Sequence, residues 1–287
     1  MLVGYHKIIK GGLFLIFMKA VAIVYMCAGM SSRFGGRIKQ FAQVGPDGET
    51  LIEYSMNQAV KAGFGKIIFI VGNMTEKPFK EKFGEVYGGI PVHYALQKFD
   101  IKERDKPWGT AEAVVSAKGY LDCPFVICNG DDIYGENTLK ILVEHLGKSK
   151  DGAIPGYELI NVVPEKGSVN RGLLNVEKGY LRDIREIFDI SLDNFGEKQL
   201  KKNSLVSMNA YAFHPNILKI LESRVEKFKI KNRGNRKIEC LLPNEVGELI
   251  KLGLIKVRCL KTPDKWIGIT NPEDEAIVRA ELKNKQS

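Results

Sequence analysis

A segment rich in glycine and serine, CAGMSSRFGGRIKQ at positions 27–40, holds the first residues whose types could bind a ligand or take part in catalysis. It directly follows the apolar run Ala20–Met26, which is typical of a buried parallel strand. Open α/β sheets bind ligands at the carboxyl ends of their strands, and small residues let backbone N–H groups approach phosphate oxygens. Arg33 and Lys39 would neutralise such phosphates. The glycine spacing fits neither a Walker A loop nor a dinucleotide-binding fingerprint, and a basic surface loop is the alternative.

A second polar segment, NGDD, runs from Asn129 to Asp132 directly after the apolar run Phe125–Cys128. Magnesium prefers one or two carboxylates together with phosphate oxygens. Asp131 is therefore a candidate Mg²⁺ ligand. An ordinary turn is the alternative, because Asn, Gly and Asp are also the residues that turns favour.

The third segment, PWGTAEAV, spans positions 107–114 and leads from a glycine turn into an alanine-rich helix. Its small residues would let the backbone approach a base or a ribose closely. A plain helix start with Thr110 as N-cap is the alternative.

Strands and helices alternate around these segments, which predicts a three-layer α/β/α fold with a mixed, mostly parallel sheet. After about residue 150 the pattern changes to strands without intervening helices, and helices then return. The predicted strands are 20–26, 66–71, 92–96, 125–128, 157–163, 173–176 and 204–213. The predicted helices are 50–62, 110–118, 216–228, 243–251 and 271–282, the last with Asn271 as N-cap.

Composition narrows the classes of partner. The chain has 43 Lys and Arg against 34 Asp and Glu, a net charge of +9, which suits an anionic partner. No basic stripe interleaved with aromatic residues occurs, so nucleic acid is not expected. Five cysteines without a CxxC pair and scattered histidines argue against a zinc site and a disulfide framework, and reduced thiols favour the cytoplasm.

The apolar N-terminal stretch resembles a signal peptide or membrane anchor only superficially. Lys19 splits the run Leu13–Met30, and its second part leads straight into the glycine-rich segment. We therefore expect no membrane segment. Residues 1–17 are predicted to be an extension, and residues 18–287 a single domain.

In order and spacing, the three segments together resemble the sugar-nucleotidyltransferases of the glucose-1-phosphate thymidylyl- and uridylyltransferase type. One subgroup reads like MAAGxGSRYGGxKQ…VGPxGExxxDYS, and this chain is similar over Met26–Gln40, Val44–Glu49 and Glu53–Ser55. The resemblance covers nearly all of residues 18–282. It implies a glycosyltransferase-A-like (Rossmann-like nucleotidyltransferase) fold. It also implies that a sugar 1-phosphate attacks the α-phosphate of a nucleoside triphosphate, with Mg²⁺ as cofactor and pyrophosphate as product.

The resemblance also assigns roles to residues. Residues 18–150 would form the nucleotide-binding half and 151–287 the half that binds the sugar phosphate. Catalytic roles fall to Arg33, Lys39 and Asp131, with Asp131 as the metal ligand. Nucleotide-binding roles fall to Ala28, Gly29, Met30, Ser31, Ser32, Gln97, Gly109 and Thr110, and substrate-binding roles to Asn170, Gly172, Glu186 and Asn209.

Three departures from the family pattern affect the site. Ile187 stands where a lysine is usual, so a basic contact to the sugar phosphate would come from Arg171, Arg182 or Arg185. Gly268 stands where some members carry a second metal-binding Asp, and the Asn of others would fall near Thr270 or Asn271. The long segment 98–108 could cover the nucleotide.

The expected reaction is Mg²⁺-dependent transfer from UTP or dTTP, because a Gln amide can pair with the imide edge of a pyrimidine. Cytidylyl transfer to a phosphorylated alcohol is one alternative. A glycosyltransferase of the same fold is another, although Asp131 and Asp132 lack D-x-D spacing. A non-catalytic nucleotide-sugar sensor is the third. The sequence leaves a homo-oligomer open.

Overall fold

The computed structural model describes residues 2–9, 12–29, 34–165, 167–269 and 272–284, and for residues 2–19 the backbone alone. The strands are β1 (Leu2–Ile9), β2 (Gly12–Lys19), β3 (Ala22–Cys27), β4 (Lys66–Val71), β5 (Val86–Tyr87), β6 (Ile90–Leu96), β7 (Phe125–Asn129), β8 (Asp132–Ile133), β9 (Gly152–Glu158), β10 (Val169–Glu177), β11 (Tyr180–Ile190), β12 (Leu205–Ser207), β13 (Tyr211–Phe213), β14 (Val257–Lys261) and β15 (Ile267–Gly268). The helices are α1 (Leu51–Ala62), α2 (Glu76–Phe83), α3 (Thr110–Ser116), α4 (Glu136–Lys148), α5 (Ile217–Lys231), α6 (Leu242–Lys251) and α7 (Asp274–Asn284).

One mixed sheet runs through the described chain in the order β12-β10-β11-β14-β9-β13-β7-β3-β4-β6-β5. Strands β7, β3, β4 and β6 are parallel, so their carboxyl ends meet at one edge. Strand β13 lies antiparallel between β7 and β9 and joins the two halves of the chain.

Two apolar layers cover the sheet on opposite faces. Ile23 and Tyr25 of β3 pack in a core with residues of α1, α2 and α4. Ala22 and Val24 of the same strand pack in a second core with α3, α5 and α6. This alternation is what a strand buried on both faces requires. The predicted three-layer α/β/α architecture is thus confirmed.

The second half differs from the prediction in several elements, and strands β14 and β15 were not predicted. The predicted strand 157–163 is wrong: the strand is Gly152–Glu158, and a 3-10 turn at Leu159–Asn161 follows it. The predicted strand 204–213 is broken into β12 and β13 at Asn209, whose φ of 57° is incompatible with a strand. Strand β11, which pairs along β10, was missed because charged residues interrupt its apolar pattern.

A third apolar cluster connects the C-terminal helix α7 to the loop after β3. Phe34 and Val44 from that loop lie with Ile133 of β8, Ile267 of β15 and Val278 of α7. The C-terminal helix therefore supports the loop that carries Lys39. The predicted N-cap Asn271 lies outside the described residues.

Strands β1 and β2 form an antiparallel two-stranded sheet that, within the described chain, pairs with no other strand. Among the residues that the structure describes, no helix has the length and apolar character needed to span a membrane.

We predict that Asp264→Ala destabilises the fold. Helix α4 begins at Gly135 without a side-chain cap of its own, and Asp264 accepts hydrogen bonds from the Thr138 amide (2.7 Å) and from Asn137 Nδ2 (3.0 Å) instead. Losing this remote cap should lower the free energy of unfolding by about 1–2 kcal/mol. Urea denaturation measures the loss. The exposed Asp193→Ala serves as control, and an equal effect of both variants would contradict the capping role.

Candidate functional site

A cavity of about 240 Å³ opens where the carboxyl ends of the parallel strands face the β10–β11 hairpin. Its walls come from the loop after β3, the β7–β8 turn, β10, β11, the β12–β13 break and the segment around β15. The lining residues are Lys39, Asn129, Asp131, Asp132, Asn170, Arg171, Gly172, Ile184, Glu186, Ser207, Met208, Asn209, Pro243, Trp266 and Ile269. The cavity thus combines predicted catalytic and predicted substrate-binding residues.

An ion pair between Lys39 and Asp131 forms one wall of the cavity. Lys39 Nζ lies 2.7 Å from Asp131 Oδ2, although the residues are 92 positions apart. Lys39 begins a 3-10 turn (Lys39–Phe41), and Asp131 lies in the tight turn after β7. That turn needs Gly130, because a Cβ at this position would overlap Cys27 Sγ at the end of β3.

Asp132 is buried behind this pair, with only 6% of its surface exposed. Its Oδ2 accepts a hydrogen bond from Asn129 Nδ2 at 2.9 Å and lies 3.2 Å from the hydroxyl of Tyr134. Burial, and next the nearby Asp131 carboxylate, raise the pKa of Asp132 well above its usual value. Asp132 is not among the predicted site residues, although it stands directly beside Asp131 in the sequence.

The opposite wall carries the four residues predicted to bind substrate. Gly172 on β10 pairs with Glu186 on β11 and with Ser207 on β12. Asn170 uses its Oδ1 to accept the amide of Asp189 at 3.0 Å. Asn209 sits at the left-handed break rather than within an apolar strand. All four therefore reach one cavity, where exposed amide and carboxylate groups can bind hydroxyl groups.

Arg171 is the arginine, among the three candidates, that lines the cavity. Its guanidinium lies 5.1 Å from the centre of the Trp266 ring, and it donates to the carbonyl oxygens of Val162 and Asn170. Burial lowers the pKa of Arg171, and the neighbouring carboxylates of Asp132 and Glu186 oppose that shift. Arg182 instead pairs with Glu177 at 2.9 Å, and Arg185 is exposed on β11. Trp266, which is not among the predicted site residues, also lines the cavity.

The predicted phosphate-binding loop is only partly described. Ala28 and Gly29 directly follow β3, and Met30, Ser31, Ser32 and Arg33 lie outside the described residues. Buried Thr75 fixes the start of this loop, because its hydroxyl donates to the Cys27 carbonyl oxygen at 3.0 Å. A Cβ on Gly72 would come within 2.8 Å of the Ala28 carbonyl oxygen, so this glycine permits the close approach.

Gln97 follows β6, and its side chain is held by the start of α3. Its Nε2 donates to Glu112 Oε2 at 2.6 Å and to the Gly109 carbonyl oxygen at 3.1 Å. Both amide protons are therefore used within the protein. Burial raises the pKa of Glu112, whereas the bond from Gln97 and the Lys229 ammonium lower it.

The alternative role of Thr110 as N-cap is wrong, because Gly109 occupies that position and the helix has no side-chain cap. Thr110 Oγ1 accepts the Leu242 amide at 2.8 Å and so joins α3 to α6. The described cavity is not lined by Gln97, Gly109, Glu112 or Thr110.

The segment 98–108, a predicted cover for the nucleotide, is fastened to residues 235–240. Arg104 is buried against the Trp108 ring and donates to the Asn235 and Ile238 carbonyl oxygens at 2.6 Å each. Arg236 reaches back to Asp105 at 2.8 Å. This segment contributes no residue to the described lining of the cavity.

The donor set at the cavity fits a magnesium ion. Two adjacent carboxylates, Asp131 and Asp132, lie at its wall, and Mg²⁺ is usually bound by one or two carboxylates completed by substrate phosphates and water. Among the described residues, no group of three or more His, Cys, Asp or Glu side chains forms a complete protein-only site. Gly268 pairs directly with Asp132 across the β8–β15 ladder. Thr270 and Asn271 lie outside the described residues.

The family model of the nucleotidyl transferases matches residues 36–249. Among curated proteins, the chain is 24% identical over 254 residues to the bifunctional protein GlmU of Methanocaldococcus jannaschii, covering 88% of this chain and 52% of that protein. It is 29% identical over 160 residues to the glucose-1-phosphate adenylyltransferase of Clostridium acetobutylicum, covering 53% of this chain and 38% of that protein. The chain spans about half the length of the GlmU proteins that it matches.

Solved structures agree on the fold. A UDP-glucose pyrophosphorylase complexed with UDP-glucose has a TM-score of 0.65 at 16% identity, covering 93% of this chain and all of that chain. The inositol-1-phosphate CTP transferase from T. maritima has a TM-score of 0.65 at 15% identity, covering 93% and 98%. The predicted glycosyltransferase-A-like fold is thus confirmed. Since the family model matches most of the chain, the chain belongs to the nucleotidyl transferase family.

Proposed function

We propose that residues 18–287 act as one catalytic domain that joins a nucleoside triphosphate to a sugar 1-phosphate, with Mg²⁺ as cofactor. The products would be a nucleoside-diphosphate sugar and pyrophosphate. The observation that carries the proposal is the shared cavity, in which the Lys39–Asp131 pair faces Asn170, Glu186 and Asn209. We place the reaction in the cytoplasm, since all five cysteines are free.

The chemistry requires placement and charge neutralisation rather than a nucleophilic side chain. An oxygen of the sugar phosphate attacks the α-phosphorus, and the bond to the pyrophosphate oxygen breaks. Lys39, with Arg33 from the glycine-rich segment, would bind the triphosphate oxygens. Mg²⁺, held at Asp131, would supply further positive charge to the triphosphate.

The sugar-binding wall matches a polyol phosphate. Glu186 and the amides of Asn170 and Asn209 would bind hydroxyl groups. Arg171 would bind the acceptor phosphate, because its guanidinium lines the cavity and retains N–H groups beyond the three bonds to carbonyl oxygens.

Uridylyl or thymidylyl transfer remains our first choice, and the geometry of Gln97 keeps cytidylyl transfer to a phosphorylated alcohol as a second candidate. Both Nε2 protons are engaged by Glu112 and Gly109, so Oε1 is the atom left for a base. An acceptor can receive either the imide N–H of uracil or thymine or the amino group of cytosine. The likeness to the inositol-1-phosphate CTP transferase also supports keeping the cytidylyl candidate.

Pyrophosphate release from five nucleoside triphosphates against a panel of sugar 1-phosphates and phosphorylated alcohols tests the proposal. We predict that Asp131→Asn and Arg33→Ala each lower kcat by a factor of about 10² or more, because each removes charge from the reaction centre. Asp193→Asn on the exposed surface is the control. Full activity in both site variants would refute the assignment.

Sugar transfer from nucleotide sugars would indicate a glycosyltransferase, and binding without turnover would indicate a sensor.

Arg171→Met is predicted to raise KM for the acceptor phosphate by roughly tenfold to a hundredfold, because a charge-assisted bond contributes about 1.5–3 kcal/mol. KM for the nucleoside triphosphate should change little. Arg185→Met removes an exposed arginine of β11 that does not line the cavity and serves as control. A rise in KM for the triphosphate alone would contradict the role given to Arg171.

Glu112→Ala is predicted to weaken discrimination between bases. Without the carboxylate, the Gln97 amide keeps only its bond to the Gly109 carbonyl oxygen and is held less firmly. The ratio of kcat/KM for the preferred over the next-best triphosphate should fall about fivefold, the value of roughly one hydrogen bond. Glu226→Ala, which removes an exposed carboxylate beside Lys229, is the control. An unchanged ratio in Glu112→Ala would contradict the role of Glu112 in orienting Gln97 toward the base.

A further inference from the structure

We propose that Asp132 is the second carboxylate of the metal site and replaces the one that Gly268 cannot supply. This inference rests on the proposed function, and it extends that function from one metal-binding carboxylate, Asp131, to an adjacent pair.

The ladder places Asp132 and Gly268 directly opposite each other. A Cβ built on Gly268 would lie 2.9 Å from Asp132 Oδ1 and would overlap the ring of Trp266. Any side chain at position 268 would therefore compete with Asp132 for the same space. The glycine makes room for a carboxylate that reaches this space from the neighbouring strand.

The hydrogen bonds of Asp132 leave one oxygen available. Oδ2 lies 2.9 Å from Asn129 Nδ2 and 3.2 Å from the Tyr134 hydroxyl oxygen. Oδ1 receives no hydrogen bond from the part of the chain that the structure describes. Asp132 lines the cavity although 94% of its surface is buried. Oδ2 is thus held by the protein, and Oδ1 is free to bind a ligand.

The charges around Asp132 favour a cation. A buried carboxylate is costly unless a positive group or hydrogen bonds compensate it. Lys39 is engaged with Asp131, and Arg171, whose guanidinium donates to backbone carbonyl oxygens, acts on Asp132 as a nearby charge without forming an ion pair with it. Within the described residues, Asp132 therefore makes no ion pair of its own. A divalent cation bound by Asp131 and Asp132 would compensate both carboxylates, which suits the oxygen ligands that Mg²⁺ prefers.

The test measures metal binding by the full chain in the absence of nucleotide. Mn²⁺ is the probe, and the electron paramagnetic resonance signal of the free ion gives the dissociation constant. Asp132→Asn, which preserves shape, should weaken Mn²⁺ binding about tenfold or more. Asp131→Asn should do the same.

Two controls separate ligation from other effects. Glu186→Gln removes a carboxylate from the opposite wall. Because the proposed loss depends on the position of the carboxylate and not on the total charge of the cavity, Mn²⁺ binding should change by less than about twofold. Tyr134→Phe removes a neighbour of Asp132 Oδ2 but keeps the carboxylate, and should retain most of the affinity. Thermal unfolding checks that each variant folds. If Asp132→Asn does not, Asp132→Ser replaces it.

Unchanged Mn²⁺ affinity in Asp132→Asn would overturn the inference, as would an equal loss in Tyr134→Phe or the absence of saturable binding to the unaltered chain. Because the titration needs no substrate, it is independent of the proposed reaction. A chain that binds Mn²⁺ through Asp132 but releases no pyrophosphate would refute the proposed function and leave the metal site standing.

Discussion

The ion pair between Lys39 and Asp131 joins the two loops on which the candidate site depends. It connects the segment after β3 with the turn after β7, at the edge where adjacent parallel strands end. Only a parallel arrangement brings these two carboxyl ends together, and only Gly130 lets the β7 turn approach the end of β3. Because Lys39 is largely buried there, its charge is less screened than that of a surface lysine. The pair therefore places one positive and one negative group at the point where a triphosphate and its metal would be bound.

The second half of the sheet supplies what the first half lacks. Strand β13 attaches β9 to β7, and the β10–β11 hairpin then extends toward the same edge. Its exposed face carries amides, a carboxylate and Arg171, whereas the buried strands of the first half carry almost only apolar groups. Under the proposed function, this division would let one continuous sheet bind a highly charged nucleotide on one side and a hydroxyl-rich phosphate on the other.

The sequence predicted the four parallel strands of the first half well, because they are nearly uninterrupted apolar runs, whereas helices α2 and α4 of that half were not predicted. It also predicted that Asp131, Gly172, Glu186 and Asn209 belong to one site, through the order of motifs rather than through periodicity. The antiparallel half was less predictable. Pairs of charged residues interrupt the apolar residues of strand β11, so it has no strand periodicity. The break at Asn209 depends on a left-handed backbone that the sequence pattern does not encode.

Contacts between distant segments could not be predicted from one sequence. The positions of Trp266 and Gly268 opposite the β7–β8 turn follow from a two-residue ladder, far too short to leave a pattern. The use of both Gln97 amide protons by the start of α3 is a tertiary contact of the same kind. In each case the residue type was visible in the sequence, whereas its partner was not.

The central claim is that the cavity beside Lys39 and Asp131 is where triphosphate and metal meet. Crystals of the chain grown with Mn²⁺ and an α,β-methylene nucleoside triphosphate, measured at the manganese absorption edge, test it directly. The account predicts an anomalous peak at the Asp131 carboxylate, with the α-phosphate between it and the wall formed by β10 and β11. An ordered nucleotide and manganese peak located away from Asp131 would contradict it.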